Sequence, residues 1–403
     1  METIGVKQAR TFLAVAEHQS VTKAARAINR SQTSVTKSIQ ELEKALGVEL
    51  FDRSTKGVTL NAYGDCLSKG AKQAQRIFRE AQQLVPPAII NESPGVARFF
   101  EMDVSDKWLD AFLATAEVHN VPSAARQLGV STAAVSALLR KLEDTLHTSL
   151  FERTPIATVP TSFARSLTNH IKLARKELRH ACDELQSMQG EQRGRVVVGS
   201  LPFMRTRILP HAIAELRSEF PLVDIATMEG PYEDLVTALR CGDIDMILGA
   251  LRETGEQEEL AEEMLLEEEL SIIVSSKNAL AKKSRVSWKA LMKYQWILPP
   301  CNTPTRKLFE DLLASRALPA PEHVVESSSL VVVRGLLMET DYITILSRHQ
   351  IHYDELSGQL TALPIELPET RRPIGITTRA NSSLSPAAKL MANYLRDATQ
   401  HLS

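Results

Sequence analysis

SQTSVTKSIQELEKALG, residues 31–47, reads as one helix with a start, two unlike faces and a stop. Ser31 can cap the first turn, and Gly47 suits the left-handed conformation that ends a helix. Val35, Ile39, Leu42 and Leu46 recur at helical spacing and make one face apolar. The other face carries Gln32, Thr33, Ser34, Thr36, Lys37 and Gln40, which are side chains that hydrogen-bond base edges and phosphates. Upstream, Phe12, Leu13, Val15 and Ala16 mark an earlier helix, and Ser20 caps a short one from Val21 to Ile28. Asn29-Arg30 makes the turn, so the order is helix, short turn, helix. Downstream, two β-prone segments, 49–53 and 57–60, flank Ser54-Thr55-Lys56-Gly57, a basic wing whose Arg53 and Lys56 are placed to clamp a nucleic-acid backbone or minor groove. Any three-helix bundle leaves a polar face outward, so the pattern alone keeps a solvated surface and a recognition helix both open.

The same text returns at an offset of 100 residues. Phe12-Leu13-Ala14 recurs as Phe112-Leu113-Ala114, and Ala24-Ala25-Arg26 as Ala124-Ala125-Arg126, followed by Ser31, Val35, Leu42-Glu43, Leu46, Leu50-Phe51 and Arg53 at unchanged spacing. A repeat of this length without insertion predicts a duplicated domain. Cutting the chain near residues 95 and 192 leaves net charges of +4, −1 and −5 (Lys and Arg less Asp and Glu), so only the first piece has the bias that attraction to phosphates favours.

The string AAxxxxxSQTSVTKSIQELEKALGVELFDR, residues 24–53, resembles the winged helix-turn-helix head of LysR-type transcriptional regulators, and the likeness spans residues 5–65. It implies double-stranded promoter DNA as partner, with groove contacts from Ser31, Gln32, Thr33, Ser34, Thr36, Lys37 and Gln40 and wing contacts from Arg53 and Lys56. The second copy keeps the apolar positions but has Thr132, Ala133, Ala134 and Ala137 in place of Gln32, Thr33, Ser34 and Lys37. Alanine offers a base edge only apolar contact. Ser131, Ser136, Arg140 and Arg153 remain as contacts, which favours a degenerate head with nonspecific phosphate binding over a second specific reader. Each head leads into a helical stretch, 62–85 and 163–188. The bland reading is a helix packed on its own head; the resemblance implies pairing with a partner's copy, hence a homodimer or homotetramer.

From Arg193 the pattern changes to strands alternating with helices: RVVVGS, VDIATMEG, IDMILGAL and LSIIVSS, with helices at 205–220 and through Leu239. Such alternation predicts a largely parallel sheet covered by helices, with ligands beyond the strand ends. A second lobe is traced over 277–368, and RPIGITTR returns to the first. The strings GSLPFMRTRILP, EGPYEDLVTALRCGDIDMILGAL, SRHQI and RPIGITTR resemble the effector domain of LysR-type regulators, in the branch of galactose-binding-protein regulators, a domain itself similar to periplasmic solute-binding proteins. By that likeness Ser200, Leu201, Pro202, Glu229, Gly249, Thr303, Thr305, Ser327 and Ser328 line a cleft between lobes, where a small polar effector, sugar or organic acid, would act on promoter contacts and RNA polymerase. The expected architecture is multidomain: winged helix-turn-helix domains with linker helices at 1–95 and 96–192, then a two-lobed α/β periplasmic-binding-protein-like effector domain at 193–403, with lobe I at 193–276 and 369–403.

Composition narrows the rivals. Apolar residues at 43% and charged ones at 24% describe a folded protein, and no stretch has the run of apolar residues that a membrane span or export signal needs, so a cytoplasmic location is expected. The four cysteines, Cys66, Cys182, Cys241 and Cys301, form no CxxC pair, so no metal site is signalled, and no cofactor motif appears. Without GxSxG, HExxH or a nucleotide-binding loop the chain does not read as an enzyme. Two alternatives stay open: a solute-binding carrier with a helical N-terminal region, and a redox sensor using Cys301.

Overall fold

A computed structural model of the chain describes residues 4–54, 57–86, 90, 93–153, 157–252, 259–380 and 382–400. Two compact units emerge, one chiefly of residues 1–194 and one chiefly of residues 195–403. In the first, α1 (Val6–His18), α2 (Val21–Ala27) and α3 (Gln32–Leu46) precede a hairpin of β1 (Phe51–Ser54) and β2 (Gly57–Leu60), then α4 (Ala62–Ala81). After the short α5 (Pro94–Phe100) the order recurs as α6 (Asp106–Val118), α7 (Val121–Leu128), α8 (Thr132–Leu146), β3 (Phe151–Arg153), β4 (Thr158–Pro160) and α9 (Ser162–Met188).

The repeat extends to individual contacts. Ser31 Oγ accepts from the Ser34 amide at 3.2 Å, and Ser131 Oγ from the Ala134 amide at 3.1 Å. Glu43 Oε1 accepts from the Leu50 amide at 2.9 Å, and Glu143 Oε1 from the Leu150 amide at 2.8 Å, which ties each hairpin to the helix before it. Phe12 meets Phe51 at 5.5 Å between ring centroids, and Phe112 meets Phe151 at 5.8 Å. At one position the copies reach the same backbone by different chemistry: Gly47 ends α3 at φ 71°, and His147 ends α8 at φ 50°. A residue with a Cβ adopts that conformation at a cost of about 1–2 kcal/mol.

The two copies do not have separate cores. One apolar cluster runs from Ile4 to Leu185 and takes in residues of both. Its spine is α4 against α9. Leu67, Ala71, Ala74, Phe78 and Ala81 are buried, and so are Leu167, Ile171, Ala174, Leu178 and Ala181 at the same offset. Cys66 Sγ lies 3.7 Å from Glu184 Oε2, and a Cβ on Gly70 would stand 2.6 Å from the Cβ of Ala181 and 2.9 Å from the Glu177 carbonyl. Rising numbers on α4 meet falling numbers on α9, so the helices run antiparallel.

The second unit holds β5 (Gly194–Ser200), α10 (Ile208–Glu219), β6 (Val223–Glu229), α11 (Tyr232–Arg240), β7 (Met246–Ala250) and β8 (Leu260–Glu268). It continues through β9 (Leu270–Ser275), α12 (Trp288–Leu291), β10 (Trp296–Leu298), α13 (Pro304–Ser315), β11 (Val325–Glu326) and α14 (Leu330–Glu339). It ends with β12 (Ile343–Ser347), α15 (His352–Leu356), β13 (Leu360–Ala362), β14 (Arg372–Arg379) and α16 (Pro386–Gln400). Two five-stranded sheets result, ordered β6-β5-β7-β14-β8 and β11-β10-β12-β9-β13. In each sheet one strand, β14 or β9, runs against its neighbours, which refines the largely parallel sheet expected. β5 and β7 pair parallel, as do β10 with β11 and with β12, whereas β14 runs antiparallel to β7 and β8, and β9 antiparallel to β12 and β13. β14 and β9 enter their sheets directly from the other lobe, and a strand arriving without a helical crossover is free to run the opposite way. LSIIVSS also belongs inside the second sheet rather than in lobe I, because β9 pairs with β12 and β13, although only Glu269 separates it from β8.

At the register shift between Ile374 and Gly375, a Cβ on Gly375 would come within 1.9 Å of the Glu263 carbonyl oxygen, while one on exposed Gly335 in α14 meets nothing within 4 Å. Chemical denaturation should therefore separate two identical changes: Gly375→Ala destabilises by about 1–3 kcal/mol, and Gly335→Ala stabilises by up to about 1 kcal/mol.

Candidate nucleic-acid interface and effector cleft

α3 presents two faces because its periodicity demands it. Val35, Ile39, Leu42 and Leu46 are buried, while Ser31, Gln32, Thr33, Ser34, Lys37 and Gln40 are exposed and Thr36 is half-buried. Ser31 spends its hydroxyl on the cap. Lys37 makes only a loose, exposed pair with Glu41 at 3.8 Å, a contact worth little in water and easily exchanged for a phosphate. Arg53 extends from the hairpin with its guanidinium 3.5 Å from Glu43 Oε2, the carboxylate whose other oxygen anchors the hairpin. Lys56 lies outside the described residues. On the second copy, Ser131 caps α8, Ser136 is half-buried, and Arg140 is exposed beside Thr132, Ala133 and Ala137. Arg153 ends β3, and its side chain lies outside the described residues.

In the second unit a cavity of about 380 Å³ brings together two of the cleft candidates, Ser200 and Glu229. Ser200 closes β5, and its hydroxyl is buried with no hydrogen-bond partner among the described residues. Arg205 shares the cavity, although the sequence reading did not single it out. It donates to the Ser200 carbonyl through Nε at 3.0 Å and Nη2 at 2.5 Å, and its Nη1 lies 3.1 Å from Glu229. Burial pulls the Arg205 guanidinium below its usual pKa, and Glu229 opposes this. The only signal in the sequence was a cation five residues beyond the strand end. All the walls of this cavity come from β5, β6, α10 and the turn between β5 and α10.

The other candidates sit apart from it. Leu201 is half-buried with its amide on the Leu248 carbonyl at 2.8 Å, Pro202 is exposed, and buried Gly249 is closed over by the Leu201 side chain. Thr303 caps α13 through the Arg306 amide, and Thr305 accepts from Arg372 at 2.8 Å. Ser327 Oγ accepts from the Ser329 amide and Ser329 caps α14, which leaves exposed Ser328 the freest hydroxyl of the run.

Among the contacts between the lobes, two centre on Arg372 and on Phe203. Arg372, at the start of β14, holds Glu268 through Nε at 3.2 Å and Nη2 at 3.1 Å while reaching Thr305. Burial pushes the Glu268 carboxyl up, against the pull of Arg372. Phe203 meets the His349 ring edge-on at 5.5 Å between centroids. Burial, then Arg207, His352 and Arg348, hold the imidazole below its ordinary value. No group of three or more His, Cys, Asp or Glu among the described residues could hold a metal ion, and no described helix is long and apolar enough to cross a membrane.

A DNA-binding helix-turn-helix surface joined to a two-lobed α/β domain defines the class: a transcription regulator with an effector-binding domain. The family model described as LysR substrate binding domain matches residues 189–400, and the bacterial regulatory helix-turn-helix model of the lysR family matches residues 6–65 and again residues 107–165. The HTH-type transcriptional regulator GalR of Pseudomonas putida is 36% identical over 396 residues, 98% of each chain. PcaQ of Agrobacterium fabrum is 28% identical over 294 residues, 73% of this chain and 94% of its own, which leaves here a remainder about as long as one repeat. The crystal structure of full-length CbnR complexed with its target DNA superposes with a TM-score of 0.53 at 17% identity, covering 73% of this chain and all of that one. The chain belongs to the LysR family of transcriptional regulators, which is not a family of enzymes.

A depressed histidine pKa is a stability statement with a sign. Folded His349 resists the proton that the unfolded chain accepts, so its contribution is present above the unfolded value near 6.5 and is lost as pH falls through the lower, folded value. Resistance of the second unit to thermal unfolding should thus fall between about pH 7 and pH 5, and His349→Gln should flatten that part of the profile. An unchanged profile in the variant would assign the acid sensitivity to other groups.

Proposed function

We propose that the first head reads promoter DNA by laying α3 in a major groove, with Gln32, Thr33, Ser34, Lys37 and Gln40 facing the bases and phosphates, Ser31 and Thr36 at the helix margin, and Arg53 and Lys56 on the wing. The observation that carries this is the exposure of that polar face while the rest of α3 is sealed in the core. Residues 96–192 are a duplicated, degenerate head: its helix-turn-helix frame is complete, but the reading face of α8 is largely alanine, so Ser131, Ser136, Arg140 and Arg153 supply phosphate contact rather than base recognition. Residues 193–403 are the effector domain, with LSIIVSS reassigned to lobe II.

The effector is a small polar molecule, an organic acid or a sugar, acting through the lobes on how the protein engages a promoter and RNA polymerase from the cytoplasm, in a homodimer or homotetramer. The unpartnered Ser200 hydroxyl beside the Arg205 guanidinium supports that chemistry, since a buried hydroxyl and a partly desolvated cation are both satisfied by a carboxylate or a polyol. A redox role for Cys301 has no comparable support: the thiol is exposed, unpaired with any other cysteine, and 3.5 Å from the Glu326 carboxylate.

Mobility shifts with upstream DNA test the reading. Gln32→Ala should cost about 1–3 kcal/mol on the preferred sequence and relax specificity, whereas Lys37→Ala should weaken all sequences alike and reduce the salt slope by about one. Arg140→Ala with Arg153→Ala should lower affinity without changing sequence preference; a changed preference would make the second head a specific reader. For the effector, a thermal-shift screen of sugars and organic acids should yield a ligand whose shift Ser200→Ala abolishes, and a ligand indifferent to Ser200 would move the site elsewhere.

A further inference from the structure

The two copies of the head are arranged as two subunits would be. The contacts of Gly70 with Ala181 and of Cys66 with Glu184 set a register in which equivalent positions near Ala74 and Ala174 fall opposite each other in mid-helix, as a pseudo-twofold between the two copies requires. Isologous dimers have this symmetry, with each patch facing its own counterpart. Here both patches belong to one polypeptide. Small side chains make the approach close: Gly70, Ala71 and Ala74 on α4, Ala174 and Ala181 on α9. Contacts beyond the pairing of α4 with α9 reinforce it. The Val6 amide donates to Asp106 Oδ1 at 3.0 Å, Lys7 and Arg10 flank Asp103 at 3.4 and 3.6 Å, and Phe78 packs on Phe99. The apolar face of α4 is consequently covered from within the chain.

Each head is attached at the N-terminal end of its long helix, since α4 follows the β1–β2 hairpin directly and α9 follows β3–β4. Antiparallel pairing therefore sends the heads to opposite ends of the seam. The 20 residues of α4 span about 30 Å at 1.5 Å per residue, close to the ~34–36 Å between successive major grooves on one face of a duplex.

We propose that a single copy of this chain is a complete two-headed DNA-binding unit, in which the second head stands where a partner subunit's would and anchors the backbone one helical turn from the groove read by α3. The DNA half of this rests on the function proposed above; the intrachain seam does not. Two consequences follow. Association between copies must use other surfaces, and the DNA site is asymmetric, with base identity decisive under one half only.

The test uses the full chain with Cys182→Ala, Cys241→Ala and Cys301→Ser, Glu184→Cys, and a protease recognition sequence inserted after Pro87. A short bis-maleimide is applied at mildly alkaline pH, because burial and Glu184 hold the Cys66 thiol at about 11 and the substitution removes that carboxylate. The expected product migrates at the mass of one chain under denaturing conditions and stays in one piece after proteolysis. A covalent product of two chains, or two free fragments after cutting, overturns the intrachain seam; circular dichroism checks that the variant folds, and an untreated chain with its native cysteines and the same inserted site should, once cut, retain its N-terminal piece through gel filtration. The cross-linked protein should then bind promoter duplex within about threefold of the untreated protein, and base changes under one half-site should cost about 10-fold or more while those under the other cost little. Equal sensitivity in both halves overturns the asymmetric site. A chain that cross-links within itself yet binds no duplex, treated or not, sinks the DNA-binding reading and the groove spacing together while the seam stands.

Discussion

The antiparallel contact of α4 with α9 is the constraint on which the N-terminal half of this protein depends. Taken singly, each copy of the head is a small bundle of roughly sixty residues, a size at which burial alone gives marginal stability. Sharing one core from Ile4 to Leu185 removes that limit, because the long helices supply each copy with apolar surface from the other. The absence of a side chain at Gly70 lets the backbones approach closely, and the small residues on both helices keep the seam tight.

That arrangement also bears on the second helix-turn-helix segment, whose fold does not depend on the outward positions in which it differs from the first. The positions that hold α8 in place, Val135, Leu139, Leu142 and Leu146, match those of α3, and the ties of Glu143 and Ser131 match those of Glu43 and Ser31. The apolar positions among these face inward, and the caps and carboxylate ties act on the backbone rather than on the outward face. Alanine at 133, 134 and 137 costs the bundle nothing and improves helix propensity, so the exposed face is free to change while the buried one is not.

In the second unit the corresponding constraint is the passage between lobes. β8 and β9 are separated by one residue, β14 returns to the first sheet, and Arg372 grips Glu268 and Thr305 where these segments cross. A buried ion pair is weak as a source of stability but strict about geometry, since moving either partner leaves an uncompensated charge. Phe203 against His349 adds an apolar contact between lobes. Any change in how the lobes close has to be accommodated at these groups.

The sequence by itself determined what local periodicity and capping determine: the helices of both heads, the turn residues, the repeat, and most strands of the second unit. The helix starts at Ser20 and Ser31 were legible because a cap acts within one turn. It also showed that α3 has an outward polar face, since a 3.6-residue period leaves only one side to bury. What it could not show was set by residues far apart in the chain. β8, with its run of glutamates, has no alternation to announce it, and it is a strand because β14 pairs along its length. LSIIVSS reads equally well as a strand of either lobe, and only pairing with β12 and β13 assigns it. Thr303 and Thr305 had the right chemistry for a ligand, yet a cap and Arg372 already occupy their hydroxyls, while Arg205 carried only the faint signal of a cation five residues beyond a strand end. The amphipathic α4 and α9 declared that each needed a partner. Which partner it was depended on close packing across more than a hundred residues of chain, and the tertiary structure alone decides that the two faces cover each other.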